Sequence, residues 1–447
     1  MKEINNGEGL ERTLGPLMLW GLGVGYVISG MYFGWNLGLP EGGTLGLAIS
    51  TIFITLMYIF FTFAYTELAC AIPKAGGAFD YASRALGADI GFIAGMAQLI
   101  EFVFAPPAIA FAIGAYFNAF YPAIPINIVA VAAFIIFTLL NISGVRAAAR
   151  FELFITVFAV IELLIFAGVT LPHFQASNLA LNSLPNGVAG IFMSIPFAIW
   201  FYLGIEGIAN VAEETINPQK NVVKGFGTAI LTLVILCFLT FVASVGVGGW
   251  EAIVYPTVGS MTTTDSPLPL ALFHIVGNNS VMYHMLLTIG LFGLIASFHG
   301  IILAAGRVTF EFGRVGYFPS ILGKTHKKFH TPAVALVANM LVGIAALYTG
   351  KTAEIITIAV FGAITLYILS LITFFKLRIN EPDLHRPFRA HFYPYAQGFA
   401  LIIAIVSLVS MLYFNKMLGT IFIAILIGSY AWFRWFVTDE ERKKVVA

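Results

Sequence analysis

Residues 21–34 read Gly21-Leu-Gly-Val-Gly-Tyr-Val-Ile-Ser-Gly30-Met-Tyr-Phe-Gly34, and residues 194–207 read Ser194-Ile-Pro-Phe-Ala-Ile-Trp-Phe-Tyr-Leu-Gly204-Ile-Glu206-Gly207. Glycine lowers helix stability by about 1 kcal/mol relative to alanine. Glycine-rich patches inside apolar runs therefore indicate unwound segments, whose exposed backbone must line a cavity or be buried in protein. The alternative is that these glycines only let two helices approach closely.

The composition places these stretches in a membrane. Of the 447 residues, 59% are apolar and only 10% are charged, whereas soluble domains average about 25% charged residues. The mean hydropathy is +0.92. Runs long enough to cross the bilayer as helices begin near twelve positions: Pro16, Leu45, Ile90, Ile124, Leu153, Gly187, Gly225, Met282, Pro332, Ala353, Gly398 and Met417. The runs are continuously apolar, which favours helices over a barrel of alternating strands.

The distribution of basic residues predicts the orientation. Cytoplasmic loops collect lysine and arginine. With a cytoplasmic N-terminus and twelve spans, all but two of the 23 lysines and arginines fall inside, and only Lys351 and Lys416 fall outside. We therefore predict a multi-pass protein of the cytoplasmic (inner) membrane with both termini cytoplasmic. The lipid bilayer is its expected partner, the net charge of +1 gives no indication of nucleic acid binding, and the oligomeric state stays open.

The two glycine-rich stretches indicate a class of protein. Each lies in the first span of a five-span group, about 175 residues apart. This arrangement is typical of transporters built from inverted repeats, whose site lies at the membrane midplane between discontinuous helices. A channel would be expected to repeat its filter by symmetry. We find no catalytic constellation and no metal-ligand spacing, so neither an enzyme, nor a metal site, nor a cofactor is predicted.

Further motifs connect the chain to a known superfamily. They are Pro73-Lys-Ala-Gly-Gly-Ala-Phe-Asp-Tyr-Ala-Ser-Arg84, Asn141-Ile-Ser-Gly-Val-Arg146, Ala212-Glu-Glu-Thr-Ile-Asn-Pro218 and Gly313-Arg-Val-Gly-Tyr-Phe-Pro319. In this order, with Ser29-Gly30 and Gly204-Ile-Glu206, they resemble the amino acid-polyamine-organocation (APC) superfamily of permeases over nearly the whole chain. Within it, residues 25–36, Glu41-Gly-Gly43 and the run from Glu101 to Ala110 look most like ethanolamine permeases.

The resemblance implies an all-α fold of about twelve transmembrane helices, a LeuT-type 5+5 inverted repeat with broken helices 1 and 6 and two C-terminal helices. The implied divisions are a cytoplasmic segment (1–15), the first repeat (16–175), the second repeat (186–380), helices 11 and 12 (398–436) and a cytoplasmic tail (437–447). The implied function is secondary active transport of ethanolamine or choline-like amines by alternating access, coupled to H+ or Na+. A permease for zwitterionic amino acids and a polyamine exchanger are the alternatives. The polar loop 250–279 has no predicted role beyond an external cap.

Acidic residues inside predicted spans are candidates for cation recognition. They are Glu67, Glu101, Glu162 and Glu206, and intramembrane acids cost about 2.5 to 3.5 kcal/mol on insertion scales. No lysine or arginine is predicted at comparable depth, so unpaired carboxylates would suit a cationic substrate, a proton or both. Glu67 lies near the cytoplasmic end of its span and is interpreted as reaching the interface.

By resemblance, Glu101 is the leading carboxylate for the substrate amine. Glu206 is either a structural acid of the unwound turn or a proton-linked gate and ammonium partner. The remaining predicted substrate-binding positions are Tyr26, Ser29, Gly30, Trp200, Tyr202, Leu203 and Gly204. Among them, backbone carbonyls near Tyr26 and Leu203 would face the substrate's ammonium group. The Ser29-Gly30 amides would face the substrate's hydroxyl group, and Trp200 would close over the ligand.

Three positions are candidates for ion coupling. Glu162 lies close to where some proton-coupled relatives carry a lysine in place of a sodium ion, and here the sequence departs from that pattern. Glu162 could titrate, help to bind sodium or merely bond a neighbouring helix. Ser297 and His299, on the eighth predicted span, leave the same alternatives open.

Overall fold

A computed structural model describes residues 12–257, 259–260, 262–277, 280–348, 351–438 and 440–442. Parts of the predicted segments 1–15, 250–279 and 437–447 lie outside the described residues, as do Lys2, Lys443 and Lys444. Within the described residues the chain is helical apart from turns, short connections and one isolated bridge between Leu14 and Thr215.

The α-helices are, in chain order, α1 (Pro16–Tyr32), α2 (Leu39–Ala71), α3 (Ala78–Leu86), α4 (Ala88–Phe120), α5 (Ile126–Ile142), α6 (Val145–Thr170), α7 (Ala176–Ala180), α8 (Gly187–Met193), α9 (Ile195–Trp200), α10 (Pro218–Gly248), α11 (Trp250–Val254), α12 (Pro267–Val276), α13 (Val281–Arg314), α14 (Ala333–Leu347), α15 (Thr352–Asn380), α16 (Tyr395–Phe414) and α17 (Lys416–Phe436). Two 3-10 helices belong to the broken spans, Trp35–Gly38 and Ile205–Val211.

All twelve predicted spans correspond to helices. Nine stretches of the described chain are long and apolar enough to cross a membrane. The shorter apolar helices α1, α5 and α14 lie at the first, fourth and ninth predicted spans, and α8 with α9 forms the N-terminal half of the sixth. The fold is therefore the predicted all-helical, LeuT-type membrane architecture, with α16 and α17 as its two C-terminal helices.

The first span is broken, but at a different position from the one predicted. Helix α1 continues through Ser29 and Gly30 to Tyr32. The backbone becomes extended at Phe33 and then enters the left-handed region at Gly34, with φ of 87°. Of the five glycines in this stretch, only Gly34 has a positive φ, a conformation that glycine adopts without strain.

The sixth span is broken where the sequence predicts. Helix α9 ends at Trp200, residues 201–204 form turns, and the chain continues as the 3-10 helix Ile205–Val211. Gly204 has φ of 101°, so a residue without a Cβ is favoured at this turn. The Gly-x-Glu pattern thus marks the interruption of the helix.

Helix α1 lies at the centre of the helix bundle. It packs against α6, α10 and α13, while α4 packs against α13 and α15. Just before α1, the Leu14 N–H donates to Glu214 O at 3.0 Å and Leu14 O accepts from the Ile216 N–H at 2.9 Å. The start of α1 is therefore fastened to the segment that follows the broken sixth span.

Candidate functional site

The two broken spans meet face to face. A Cβ added at Gly30 would lie 2.5 Å from the Trp200 carbonyl oxygen, and one at Gly34 would collide with the Trp200 ring. The Trp200 Nε1–H donates to the Phe33 carbonyl oxygen at 3.1 Å. Gly30 is thus required for the close approach of the two broken spans.

Two carboxyl groups face each other beside the break of the sixth span. The carboxyl groups of Glu101, in α4, and Glu206 are close neighbours, and both side chains are fully buried. The Gly204 backbone lies next to them. Among the described residues, neither oxygen of Glu101 and not Oε1 of Glu206 has a hydrogen-bond partner. This pair brings together the two acids that the sequence predicts for amine recognition.

Tyrosines of two further helices complete this cluster. The Tyr58 hydroxyl of α2 donates to the Tyr367 hydroxyl of α15, and Tyr367 donates to Glu206 Oε2, both at 3.0 Å. Tyr202 shares a 2.7 Å hydrogen bond with the Thr55 hydroxyl, and its ring lies 5.1 Å from that of Tyr58. Four aromatic or hydroxyl-bearing side chains therefore surround one side of the carboxyl pair.

This arrangement is suited to bind a positive charge. An unpaired buried carboxylate is costly unless a proton or a cation neutralises it, and no arginine or lysine of the described residues forms an ion pair with Glu101 or Glu206. Aromatic faces also attract a desolvated ammonium, by up to about 2 kcal/mol. The cluster therefore offers the chemistry of an organic-cation site.

The other predicted substrate residues separate into two groups. Leu203 and Gly204 lie in the break itself, and a Cβ at Gly204 would lie 3.3 Å from the Tyr26 carbonyl oxygen. The ring of Tyr26 lies between Gly207 and Gly300. The predicted Ser29 amide is occupied in this conformation, because its N–H donates to Ser297 Oγ at 2.8 Å.

The three predicted coupling residues do not converge on one point. Ser297 Oγ also donates to the Gly25 carbonyl oxygen at 2.6 Å and thus bridges one turn of α1. Glu162 accepts a hydrogen bond from the Tyr32 hydroxyl. His299 contacts Glu152 instead, with 2.7 Å between Nδ1 and Oε2.

The expectation that no basic residue lies near the four acids is wrong for Glu67. Its Oε2 pairs with Arg378 at 2.6 Å and its Oε1 with Arg386 at 3.1 Å, and the Ala390 N–H donates to Oε2 at 2.7 Å. The side chain is 1% exposed. Glu67 therefore joins α2 to α15 and the segment after it.

Several functional candidates escaped the sequence reading. Glu152 is fully buried in α6, but the predicted span begins one residue later. Glu214 and Arg307 form a buried ion pair at 2.6 Å. They are 93 residues apart in the sequence, so no local sequence pattern indicates that they pair. Tyr58 and Tyr367 could not be singled out in a chain that is 15% aromatic.

Comparisons with known proteins agree with this architecture. The model of the amino acid permease family matches residues 14–437. The chain is 26% identical to the methylthioribose transporter of Bacillus subtilis, covering 87% of the chain and 86% of that protein. It is 24% identical to the branched-chain amino acid permease of the same organism, with 90% and 89% covered. It is 26% identical to the low-affinity putrescine importer of Escherichia coli K12, with 82% and 81% covered.

The match extends from two residues before α1 to one residue after α17 and includes both broken spans. The carboxyl cluster lies within it. This chain belongs to the amino acid permease family of membrane transporters.

Proposed function

We propose that this small-solute transporter carries ethanolamine by secondary active transport. The observation that supports this proposal best is the buried Glu101–Glu206 pair, which has no basic partner among the described residues. An amine without a carboxylate requires anionic or carbonyl oxygens and no arginine. Its ammonium group would supply the missing positive charge.

The substrate would lie between the two broken spans. Its ammonium would contact Glu101 and the backbone carbonyls near Tyr26 and Leu203, and Glu206 with Tyr367 would close the inner side of the site. The hydroxyl end would point toward Ser29 and Gly30. Because the Ser29 N–H is bonded to Ser297, it can bind a ligand only after α1 shifts relative to α13.

Contacts on both sides of the site suit alternating access. On the outer side, Trp200 closes on Phe33, and a cavity of about 180 Å³ lies beyond Phe197, lined by Glu41 and Glu354 among others. On the inner side, the Leu14 backbone joins Glu214. The first two spans of each repeat would rock against the remaining spans and so open the site to each side in turn.

The proposed orientation has both termini in the cytoplasm and the chain in the inner membrane. Proton or sodium coupling is proposed to involve Glu162, Ser297 and His299, each of which is buried next to a moving span. No bond of the substrate is made or broken in this scheme.

The main alternative is transport of a zwitterionic amino acid. The match to the branched-chain amino acid permease of B. subtilis, which covers 90% of the chain, supports it. In that case the free N–H groups of a shifted α1 would bind the ligand's carboxylate, since helix N-termini and exposed amides favour anions. A polyamine exchanger is supported only by the putrescine importer.

The deciding experiment is a thermal-shift series with ethanolamine, choline, alanine, putrescine and arginine. A ligand at 100 times its Kd stabilises the folded state by about 2.7 kcal/mol. We expect stabilisation by ethanolamine, lost in Glu101→Gln because the amide offers no charge. Glu162→Gln, another buried acid removed from the cluster, is the matched control and should retain the shift.

Stabilisation by alanine but not by ethanolamine would contradict the proposal and assign the protein to amino acid transport. Stabilisation by putrescine alone would favour the polyamine alternative. Equal stabilisation of Glu101→Gln and the unmodified protein by ethanolamine would place the ammonium elsewhere.

A further inference from the structure

A second buried acid lies outside the substrate cluster. Glu152 Oε2 of α6 lies 2.7 Å from Nδ1 of His299 in α13, and both side chains are fully buried. Three neighbouring polar atoms have no hydrogen-bond partner among the described residues, namely Glu152 Oε1, His299 Nε2 and the Tyr26 hydroxyl. Buried polar atoms without partners are rare in folded proteins and require an explanation.

Two glycines make the room for this carboxyl group. A Cβ at Gly25 would collide with Glu152 Oε1, and one at Gly300 would lie 3.0 Å from the same oxygen. The rings of Phe137 and Phe151 pack against the imidazole of His299, with ring centroids 6.2 and 5.3 Å from its centroid. Glu152 and His299, here called the couple, therefore lie in an apolar notch formed by α1, α5, α6 and α13.

The couple must bind one proton to be electrically neutral in its buried site. With a carboxylate and a neutral imidazole the couple carries a net charge of −1, and with one added proton it is neutral. The groups that face it are the Tyr26 hydroxyl of α1 and the Thr156 hydroxyl of α6. Arg307, further along α13, is already paired with Glu214. An unpaired charge in such a site is strongly unfavourable, so the closed conformation binds the neutral form.

The same turn of α1 contacts this couple and the substrate cluster. Gly25 and Tyr26 cover the Glu152 carboxyl group, while the Tyr26 carbonyl faces Gly204 at the substrate break. Thr156 Oγ1 donates to the Gly21 carbonyl at 3.2 Å and joins α6 to α1. When α1 moves away toward the cytoplasm, water would reach the couple, solvate its charge and accept the proton.

We infer that Glu152 and His299 together bind the one proton that is co-transported with the substrate, in a notch that α1 opens and closes. The proton is shared between Glu152 Oε2 and His299 Nδ1 in the closed state and leaves to cytoplasmic water after α1 moves. This inference rests on the proposed transport of an amine.

Proteoliposomes with the membrane potential held at zero and the exterior more acidic by one pH unit provide the test. One proton per substrate drives about tenfold accumulation under these conditions. We expect this accumulation of radiolabelled ethanolamine in the unmodified protein and in Asp383→Asn, which changes an exposed acid outside both buried sites, and its loss in Glu152→Gln. Exchange of internal for external ethanolamine needs no net proton movement and should persist in Glu152→Gln.

Gradient-driven accumulation by Glu152→Gln equal to that of the unmodified protein would overturn the inference, as would accumulation driven only by a sodium gradient. If Glu152→Gln does not fold, His299→Gln is measured in the same way. A trapped pH dye adds a test on the unmodified protein, whose lumen must acidify when ethanolamine is added. Lack of exchange by the unmodified protein would refute ethanolamine as substrate, and the same gradient assay with alanine would then decide the coupling site.

Discussion

Asp80 lies in the short helix α3, within a motif that carries the family resemblance. Burial and, after it, the nearby Glu311 carboxylate raise the pKa of Asp80 to about 7, although Lys74 and Arg314 act in the opposite direction. Its Oδ2 accepts a hydrogen bond from the Gly76 N–H at 3.0 Å. Because the unfolded chain has a value of about 3.9, the folded protein binds more protons between about pH 4 and pH 7. The contribution of Asp80 to stability is therefore lost as the pH rises through this window.

Replacement of Asp80 by asparagine should remove this pH dependence. Asparagine keeps an oxygen for the Gly76 N–H but cannot ionise. We expect the midpoint of thermal unfolding to fall less between pH 6 and pH 8 in Asp80→Asn than in the unmodified protein. Asp383→Asn, at an exposed position, serves as the control and should follow the unmodified protein. An equal fall in all three proteins would show that ionisation of Asp80 does not destabilise the folded protein.

Gly30 and Gly227 allow the packing role of a helical glycine to be measured. A Cβ at Gly30 would lie 2.5 Å from the Trp200 carbonyl oxygen, whereas one at Gly227 would meet no atom within 4 Å. Overpacking costs about 1 to 3 kcal/mol, and alanine in an open helical position gains up to about 1 kcal/mol. We expect Gly30→Ala to lower the midpoint of thermal unfolding and Gly227→Ala to leave it unchanged or raise it. An unchanged midpoint in Gly30→Ala would mean that the two broken spans are not held as closely as described.

The helices show how far a sequence can predict this fold. The spans follow from hydropathy, and the break at Gly204 follows from a glycine beside an intramembrane acid. The position of the first break cannot be predicted from the sequence, because residues 21–34 contain five glycines. Composition does not distinguish a glycine needed for close approach from one needed for positive φ. Gly30 serves the first purpose and Gly34 the second.

The sequence predicts some residues of the candidate site but not the contacts between them. An acid in an apolar run is conspicuous, so Glu101 and Glu206 could be recognised. Their proximity, and the Tyr58–Tyr367 contacts that join α2 to α15, arise from tertiary packing between distant segments. Glu152 was missed because hydropathy sets the start of a span only to within a few residues.

The proposed outer closure includes a hydrogen bond between Trp200, at the end of α9, and Phe33, at the break of the first span. Trp200→Phe keeps the aromatic bulk but removes the Nε1–H donated to Phe33. A hydrogen bond contributes about 0.5 to 1.5 kcal/mol, so we expect radiolabelled ethanolamine to dissociate about two- to tenfold faster. Trp20→Phe loses an equivalent 3.1 Å bond to Thr232, distant from the site, and should not change the rate. If both variants release the ligand at the same rate, Trp200 does not close the site.

The complete helix order makes a prediction about which face of the membrane each loop reaches. Lys327 and Lys416 are both exposed, and the three helices α14, α15 and α16 lie between them. An odd number of spans places them on opposite sides, and the excess of basic residues assigns Lys327 to the cytoplasm. An impermeant maleimide should therefore label Lys416→Cys in intact cells but label Lys327→Cys only after permeabilisation. The unmodified chain, whose Cys70 and Cys237 are buried, gives the background. Labelling in the reverse order would keep the span count and invert the orientation, whereas labelling of both from outside would contradict the count itself.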